Sequence, residues 1–177
     1  MAIYRRNRVH GGTFFFTVTL RNRSSCLLVD HVALLREAFT HTRRTRPFAI
    51  DAIVILPEHI HAIWTLPDDD LDYSGRWRSI KSLFVRSLKT AGAQVTSNPA
   101  REHDVWQRRF WEHTIRDAND MQRHVDYIHF NPVKHGYVST PVEWRYSSIH
   151  RYVRDGLLPV DWGASRKNDF SGNFGER

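Results

Sequence analysis

Pro57-Glu58-His59-Ile60-His61-Ala62-Ile63-Trp64 is the stretch on which the fold turns. It reads as a strand, and side chains alternate faces along a strand. His59 and His61 therefore share one face, about 6.6 Å apart along the chain. Ile60, Ala62 and Trp64 point the other way, into a core. Two imidazoles held side by side can close on a divalent ion if a third oxygen or nitrogen ligand arrives from elsewhere. They can equally be two hydrogen-bonded histidines on an ordinary strand. The same alternation puts Glu58 on the opposite face, outside any ligand set.

Working outward, FAIDAIVIL (48–56) is a strand leading into this one, and TFFFTVTL (13–20) is an earlier strand. In the latter, Phe14, Phe16, Val18 and Leu20 share a face, and Phe15, Thr17 and Thr19 take the other. Between these strands Asp30 is predicted to cap a helix running to about Thr42, with Val32, Leu35 and Phe39 at helical spacing. Beyond the histidines, Asp68, Asp69, Asp70 and Asp72 precede a helix over 74–90, where they cap it and complement its positive end, with several simply solvated. Trp77, Ile80, Phe84 and Leu88 form its apolar stripe, and Arg78, Lys81, Arg86 and Lys89 its basic side. Residues 91–105 lack periodicity, and 106–115 read as a fourth strand. The order βαββαβ implies an α+β, ferredoxin-like antiparallel sheet with both helices on one face. The histidine strand is then central, and the open face carries His59, His61, Phe15, Thr17 and Thr19. C-terminal helices follow. Asp117 and Asp120 supply capping chemistry for one that continues to about Phe130, where Pro132 stops it, with Gly136 in a left-handed turn beyond. Met121, Val125 and Ile128 form its apolar stripe, and His124, Tyr127 and Asn131 a polar one. That polar stripe offers a third ligand, or simply a tyrosine packing its ring.

The chain has 177 residues, enough for one domain over 1–163 that includes a basic arm (1–12), followed by a polar tail (164–177) expected to be mobile and able to cover the site or touch DNA. Its 26 basic against 19 acidic residues give a net charge of +7, which favours a polyanionic partner, nucleic acid before membrane. A single cysteine, Cys26, excludes an internal disulfide and fits a reducing cytoplasm. No apolar run approaches the roughly 18 residues that would span a bilayer.

Taken together, His59-Ile60-His61 and Tyr127-Ile128-His129-Phe130-Asn131-Pro132-Val133-Lys134-His135-Gly136 resemble the motifs of the HUH single-tyrosine transposases, and within them the REP-associated tyrosine transposases. Arg76-Trp77, Phe110-Trp111-Glu112-His113 and Trp144-Arg145-Tyr146-Ser147-Ser148 support the resemblance, which spans about residues 10–163. It implies that Tyr127 attacks a phosphate of single-stranded DNA, leaving a 5′-phosphotyrosine and a free 3′ hydroxyl. It implies Mg²⁺ or Mn²⁺ held by His59, His61 and Asn131, and a target of hairpin-forming repetitive palindromes. His124 is a possible general base. Arg5, Arg6, Arg8, Arg43, Arg44, Arg46, Arg78, Lys81, Arg86 and Lys134 are the candidate phosphate contacts. The resemblance further suggests a monomer, with a dimer as the alternative, in the cytoplasm at the nucleoid.

Two other classes are open to such a sequence. One is a domesticated relative that grips hairpin DNA or RNA without cutting. The other is a metal-dependent hydrolase joining the two histidines to the downstream aspartates, which the pleat disfavours because it supplies no acidic third ligand on a strand. An RNA-recognition module would need a Lys/Arg-Gly-Phe/Tyr-Gly/Ala-Phe signature that the sequence lacks.

Overall fold

The computed structural model describes residues 7–95, 105–165 and 173–176. Arg5 and Arg6 lie outside that range. Four strands, β1 (Thr13–Thr19), β2 (Ala49–Ile55), β3 (His59–Thr65) and β4 (Trp111–Thr114), form one sheet in the order β2-β3-β1-β4. All three pairings are antiparallel. With α2 (Val32–Thr45) after β1 and α3 (Tyr73–Thr90) after β3, this is the split βαββαβ arrangement the sequence predicts.

The pleat sorts each strand as expected. Phe14, Phe16 and Val18 of β1 and Ile60, Ala62 and Trp64 of β3 enter one core, which α2 closes with Leu35 and Phe39 and α3 with Trp77, Ile80 and Phe84. Trp64 and Trp77 stack with centroids 4.2 Å apart. Asp72 caps α3, its side chain accepting from the Gly75 amide. Arg76, 2% exposed, donates to the carbonyls of Arg46, Pro47 and Asp72 and to the Asp70 carboxylate. It therefore ties the start of α3 to the end of α2. Asp70 and Asp72 of the aspartate cluster are thus committed to this helix.

Four details differ from the sequence reading. The first helical segment is broken: α1 (Leu27–Asp30) is a single turn, and α2 begins after His31, so Asp30 ends one turn rather than capping a long helix. β4 is shorter than 106–115, with Trp106 making only an isolated bridge to Leu20. Pro132 does not stop its helix, since α4 runs over Ala118–Lys134 with Pro132 inside. Pro132 lacks one donor, yet the last turn is held because His135 N donates to Asn131 O and Tyr137 N to Pro132 O. Gly136 then takes the left-handed turn at φ 72°. Finally, the second face of the sheet is not open. Phe15, Ala52, Val54, Leu56 and Ile63 are apolar on that side, and Val125 and Ile128 of α4 cover them.

The free margin of β2 is closed by a later segment. Ile55 N donates to Tyr146 O and Ser148 N to Ile53 O. The Ile53 amide donates to Ser148 Oγ, and Trp144 Nε1 to Ile55 O. Helix α5 (Ile149–Arg154) follows directly. Among the described residues no helix is long and apolar enough to cross a membrane.

Candidate active site

β3 and α4 meet at the histidines. In register, His61 faces Thr17 across β1 and His59 faces Thr19, so the face predicted from alternation is the face observed. His59 and His61 are 1% and 0% exposed, Tyr127 1% and Asn131 0%. Their burial comes from α4, whose polar stripe lies against the sheet rather than in solvent. The two imidazole centroids are 4.7 Å apart, and that of His61 is 5.3 Å from the Tyr127 ring. The structure therefore brings together four residues that span 73 positions from His59 to Asn131, as the helix spacing and pleat anticipated.

Each imidazole is held at Nδ1. His59 Nδ1 is 2.8 Å from Glu58 Oε1, and His61 Nδ1 is 2.9 Å from Thr17 Oγ1. Such outer contacts orient metal-binding imidazoles and fix the nitrogen that faces the ion. Among buried polar atoms, His59 Nε2 and Asn131 Oδ1 find no hydrogen-bond partner. Buried acceptors rarely go without one, and here the two belong to the residues expected to hold a cation. The donor set is an imidazole pair and an amide oxygen, so the residues present fit a divalent ion.

The C-terminal residues Asn173–Glu176 enter this site. Glu176 Oε1 lies 2.7 Å from His61 Nε2 and 3.6 Å from His59 Nε2, and Asn131 Nδ2 donates to it at 2.9 Å. His135 Nε2 is 3.4 Å away. Lys134 Nζ donates to Glu176 Oε2 and, at 2.9 Å, to the Tyr127 hydroxyl. Phe174 stacks on Tyr127 with centroids 3.7 Å apart and planes 7° from parallel. The Thr17 hydroxyl donates to the Phe174 carbonyl.

Burial depresses His61 to about 3, against the pull of Glu176. Burial also opposes charge on His59, but the neighbouring Glu176 and Glu58 carboxylates outweigh it and raise that histidine. Glu176 is desolvated, yet its histidine partners hold it far below the usual carboxylate range. Burial and then the Glu176 charge push the Tyr127 phenol well above its ordinary value, so with the tail seated it is a poor nucleophile.

Lys134 is drawn into the site itself. His124 is buried, and its Nδ1 is 2.8 Å from the Asp120 carbonyl. Its ring packs on Phe15 and Phe174. Phe15 is 0% exposed and belongs to the second core, while Trp111 is half-buried and parallel to His113. The other basic candidates stand apart. Arg43, Arg44 and Arg46 end α2, and Arg78, Lys81 and Arg86 ride on α3, across the sheet from the histidines. Arg46 pairs with Asp72, and Lys81 donates to Gln107 O. Arg8 lines a small cleft with Asp72 and Tyr73.

Sequence reasoning missed Glu58, His135, Phe174 and Glu176. Glu58 precedes β3, where strict alternation no longer governs its side chain. His135 follows Lys134 in the tyrosine motif and its spacing held the clue. Glu176 stands 115 residues from His61 and nothing local signals their meeting.

Helix α4 thus lays a tyrosine against two strand-borne imidazoles. No protein-family model matches the chain. It is, however, 49% identical over 177 residues to the REP-associated tyrosine transposase of Escherichia coli (strain K12), covering 100% of this chain and 98% of that protein. A Haemophilus influenzae relative bearing the same family name is 44% identical over 167 residues, with 93% and 95% covered. A solved structure of a REP-associated tyrosine transposase bound to a REP hairpin superimposes with a TM-score of 0.87 at 47% identity, covering 100% of this chain and 98% of that one. The chain belongs to the REP-associated tyrosine transposase family.

Proposed function

We propose that this transposase cuts and rejoins single-stranded DNA beside hairpin-forming repetitive palindromes, with Tyr127 as the nucleophile. The observation that carries the reading is the Tyr127 hydroxyl, set against Lys134 Nζ at 2.9 Å in a site whose His59 Nε2 and Asn131 Oδ1 are buried without partners. His59, His61 and Asn131 would hold Mg²⁺ or Mn²⁺, with Glu58 and Thr17 fixing the imidazoles from behind. When bound, such an ion supplies Lewis-acid polarisation of a phosphate.

Tyr127 oxygen bonds to phosphorus as the bond to the 3′ oxygen breaks, and the phosphodiester energy is kept in a 5′-phosphotyrosine. The phenol proton leaves to solvent and the departing 3′ oxygen takes one up. Lys134 places positive charge beside the phenol oxygen, which lowers the cost of that deprotonation once Glu176 has gone. On the reverse path a 3′ hydroxyl of another end attacks the phosphotyrosine, which amounts to strand transfer. The hairpin bound by the similar solved protein supports hairpin DNA as partner here.

The tail bears on this chemistry. Glu176 sets a negative charge among His61, Asn131, Lys134 and His135, as a phosphate would, and Phe174 lies on the nucleophile as a base would. DNA and residues 173–176 therefore compete for one place, and the tail holds the enzyme in check until it withdraws. The exposed arginines of α2 and α3 would meet DNA away from the cleaved strand. Six such contacts to single strands would give a salt slope of about −4.

The test is a labelled hairpin with a single-stranded flank, incubated with Mn²⁺ and run under denaturing conditions. A covalent protein–DNA band is expected, and Tyr127→Phe should remove it without removing binding. A band that survives Tyr127→Phe, or free ends with no band from a chain lacking residues 173–177, would sink the reading. A non-catalytic binder would shift the hairpin and never form the band.

A further inference from the structure

The tyrosine helix carries a second group of ligand-bearing side chains ahead of Tyr127. His113 on β4 and Asp120 and His124 on α4 each offer a ligand atom, all within 4.8 Å of one another. His113 Nε2 is 2.8 Å from Asp120 Oδ2, and His124 Nδ1 is 3.2 Å from Asp120 Oδ1. Donors sharing an ion at bond lengths of about 2.0–2.2 Å stand about 3 to 3.5 Å apart. The side chains already lie close to that spacing. The two imidazoles are nearly parallel, 13° apart with centroids at 4.7 Å.

A hydrogen-bonded network alone accounts for only half of this arrangement. Asp120 is 6% exposed. Its Oδ2 accepts from His113 and from the backbone and guanidinium of Arg116. Its Oδ1 has no hydrogen-bond partner, which is costly for a buried carboxylate oxygen. The nearby cations sit at the rim: the Arg116 side chain is 70% exposed and that of Arg123 50% exposed. Both can turn to solvent.

We propose that His113, Asp120 and His124 form a second, structural metal site that fastens the tyrosine helix to the edge strand of the sheet. Two imidazoles and one carboxylate favour Zn²⁺, Co²⁺ or Ni²⁺ over Mg²⁺. The His124 proton that now faces the Asp120 carbonyl passes to the other ring nitrogen, the same exchange occurs at His113, and the ion takes the freed lone pairs. β4 has four residues and one neighbour, β1. A metal bridge from it to the first turns of α4 would fix where Tyr127 stands, one turn further on.

The test uses the untagged full chain carrying His59→Ala and His61→Ala, so that the catalytic histidines contribute nothing. Equilibrium dialysis against Zn²⁺ should give one bound equivalent, and Co²⁺ should give the visible absorption of a four- or five-coordinate ion. Adding His113→Ala should weaken binding at least tenfold, with the far-ultraviolet circular dichroism confirming a folded chain. Asp120→Asn should act in the same direction. The proposal is overturned if the double variant binds no zinc, or if His113→Ala leaves binding unchanged. Neither result bears on the covalent DNA band, so this site and the catalytic reading stand or fall separately.

Discussion

On one side of β3, Trp64 stacks on Trp77 within a core of aromatic and branched side chains. On the other, three residues away in sequence, His61 faces Thr17, Tyr127 and Glu176. A single strand thus serves two environments. The helical side gains its stability from apolar surface removed from water. The α4 side gives up part of that gain: His59 Nε2 and Asn131 Oδ1 are buried without partners, and His59, His61 and Tyr127 are among the groups held away from their ordinary titration. Perturbed groups that converge in this way mark sites of chemistry. The pleat lets a small domain keep both without mixing them.

The sharpest way to break this division is to substitute on either side of the sheet. His61→Ala should lower covalent adduct formation by about 10³-fold, equivalent to about 4 kcal/mol, while moving the urea midpoint little. Trp77→Ala should do the reverse, costing about 3–5 kcal/mol of stability. If both variants unfold alike, the two faces are not separable. Glu58→Ala, which frees His59 at Nδ1, should weaken divalent-ion binding by about 10–100-fold, measured by Mn²⁺ titration of adduct yield. Removing residues 173–177 should raise adduct formation about tenfold, or about 1.4 kcal/mol. Unchanged or lower yield would mean that the tail does not restrain the site.

The smallest effect concerns His129, where α4 meets α5. Burial holds it at about 3, with Arg151 and His150 adding to the depression. The unfolded imidazole takes a proton below about 6.5 and the folded one does not. Its stability contribution is therefore complete above that value and falls as pH drops towards 3, by about 1.4 kcal/mol per unit. Urea midpoints from pH 7 to 5 should show the decline, with a shallower slope for His129→Gln.

Much of this was legible in the chain. Strict alternation in TFFFTVTL and HIHAIW assigned each side chain its face, because β side chains have no third choice. Helical spacing put Tyr127 and Asn131 on one stripe, and among the aspartates before α3 stood its cap, Asp72. What escaped had physical causes. The apolar residues Phe15, Val54 and Ile63 on the second face required a cover, and reading that face as open ignored their cost. A proline in the last turn of a helix removes one bond without ending the helix, so Pro132 misled. The Glu176 contact is a matter of tertiary reach, and no periodicity encodes it.

The bonds from residues 144–148 onto β2 have a consequence for synthesis. Ile53 and Ser148 are 95 residues apart, and at 5–20 residues per second the ribosome needs about 5–20 s to join them. For that interval the nascent sheet has an unprotected margin, able to pair with any extended chain nearby. Slower translation across this stretch would lengthen the hazard, and a chaperone that shields bare strands would find its substrate there.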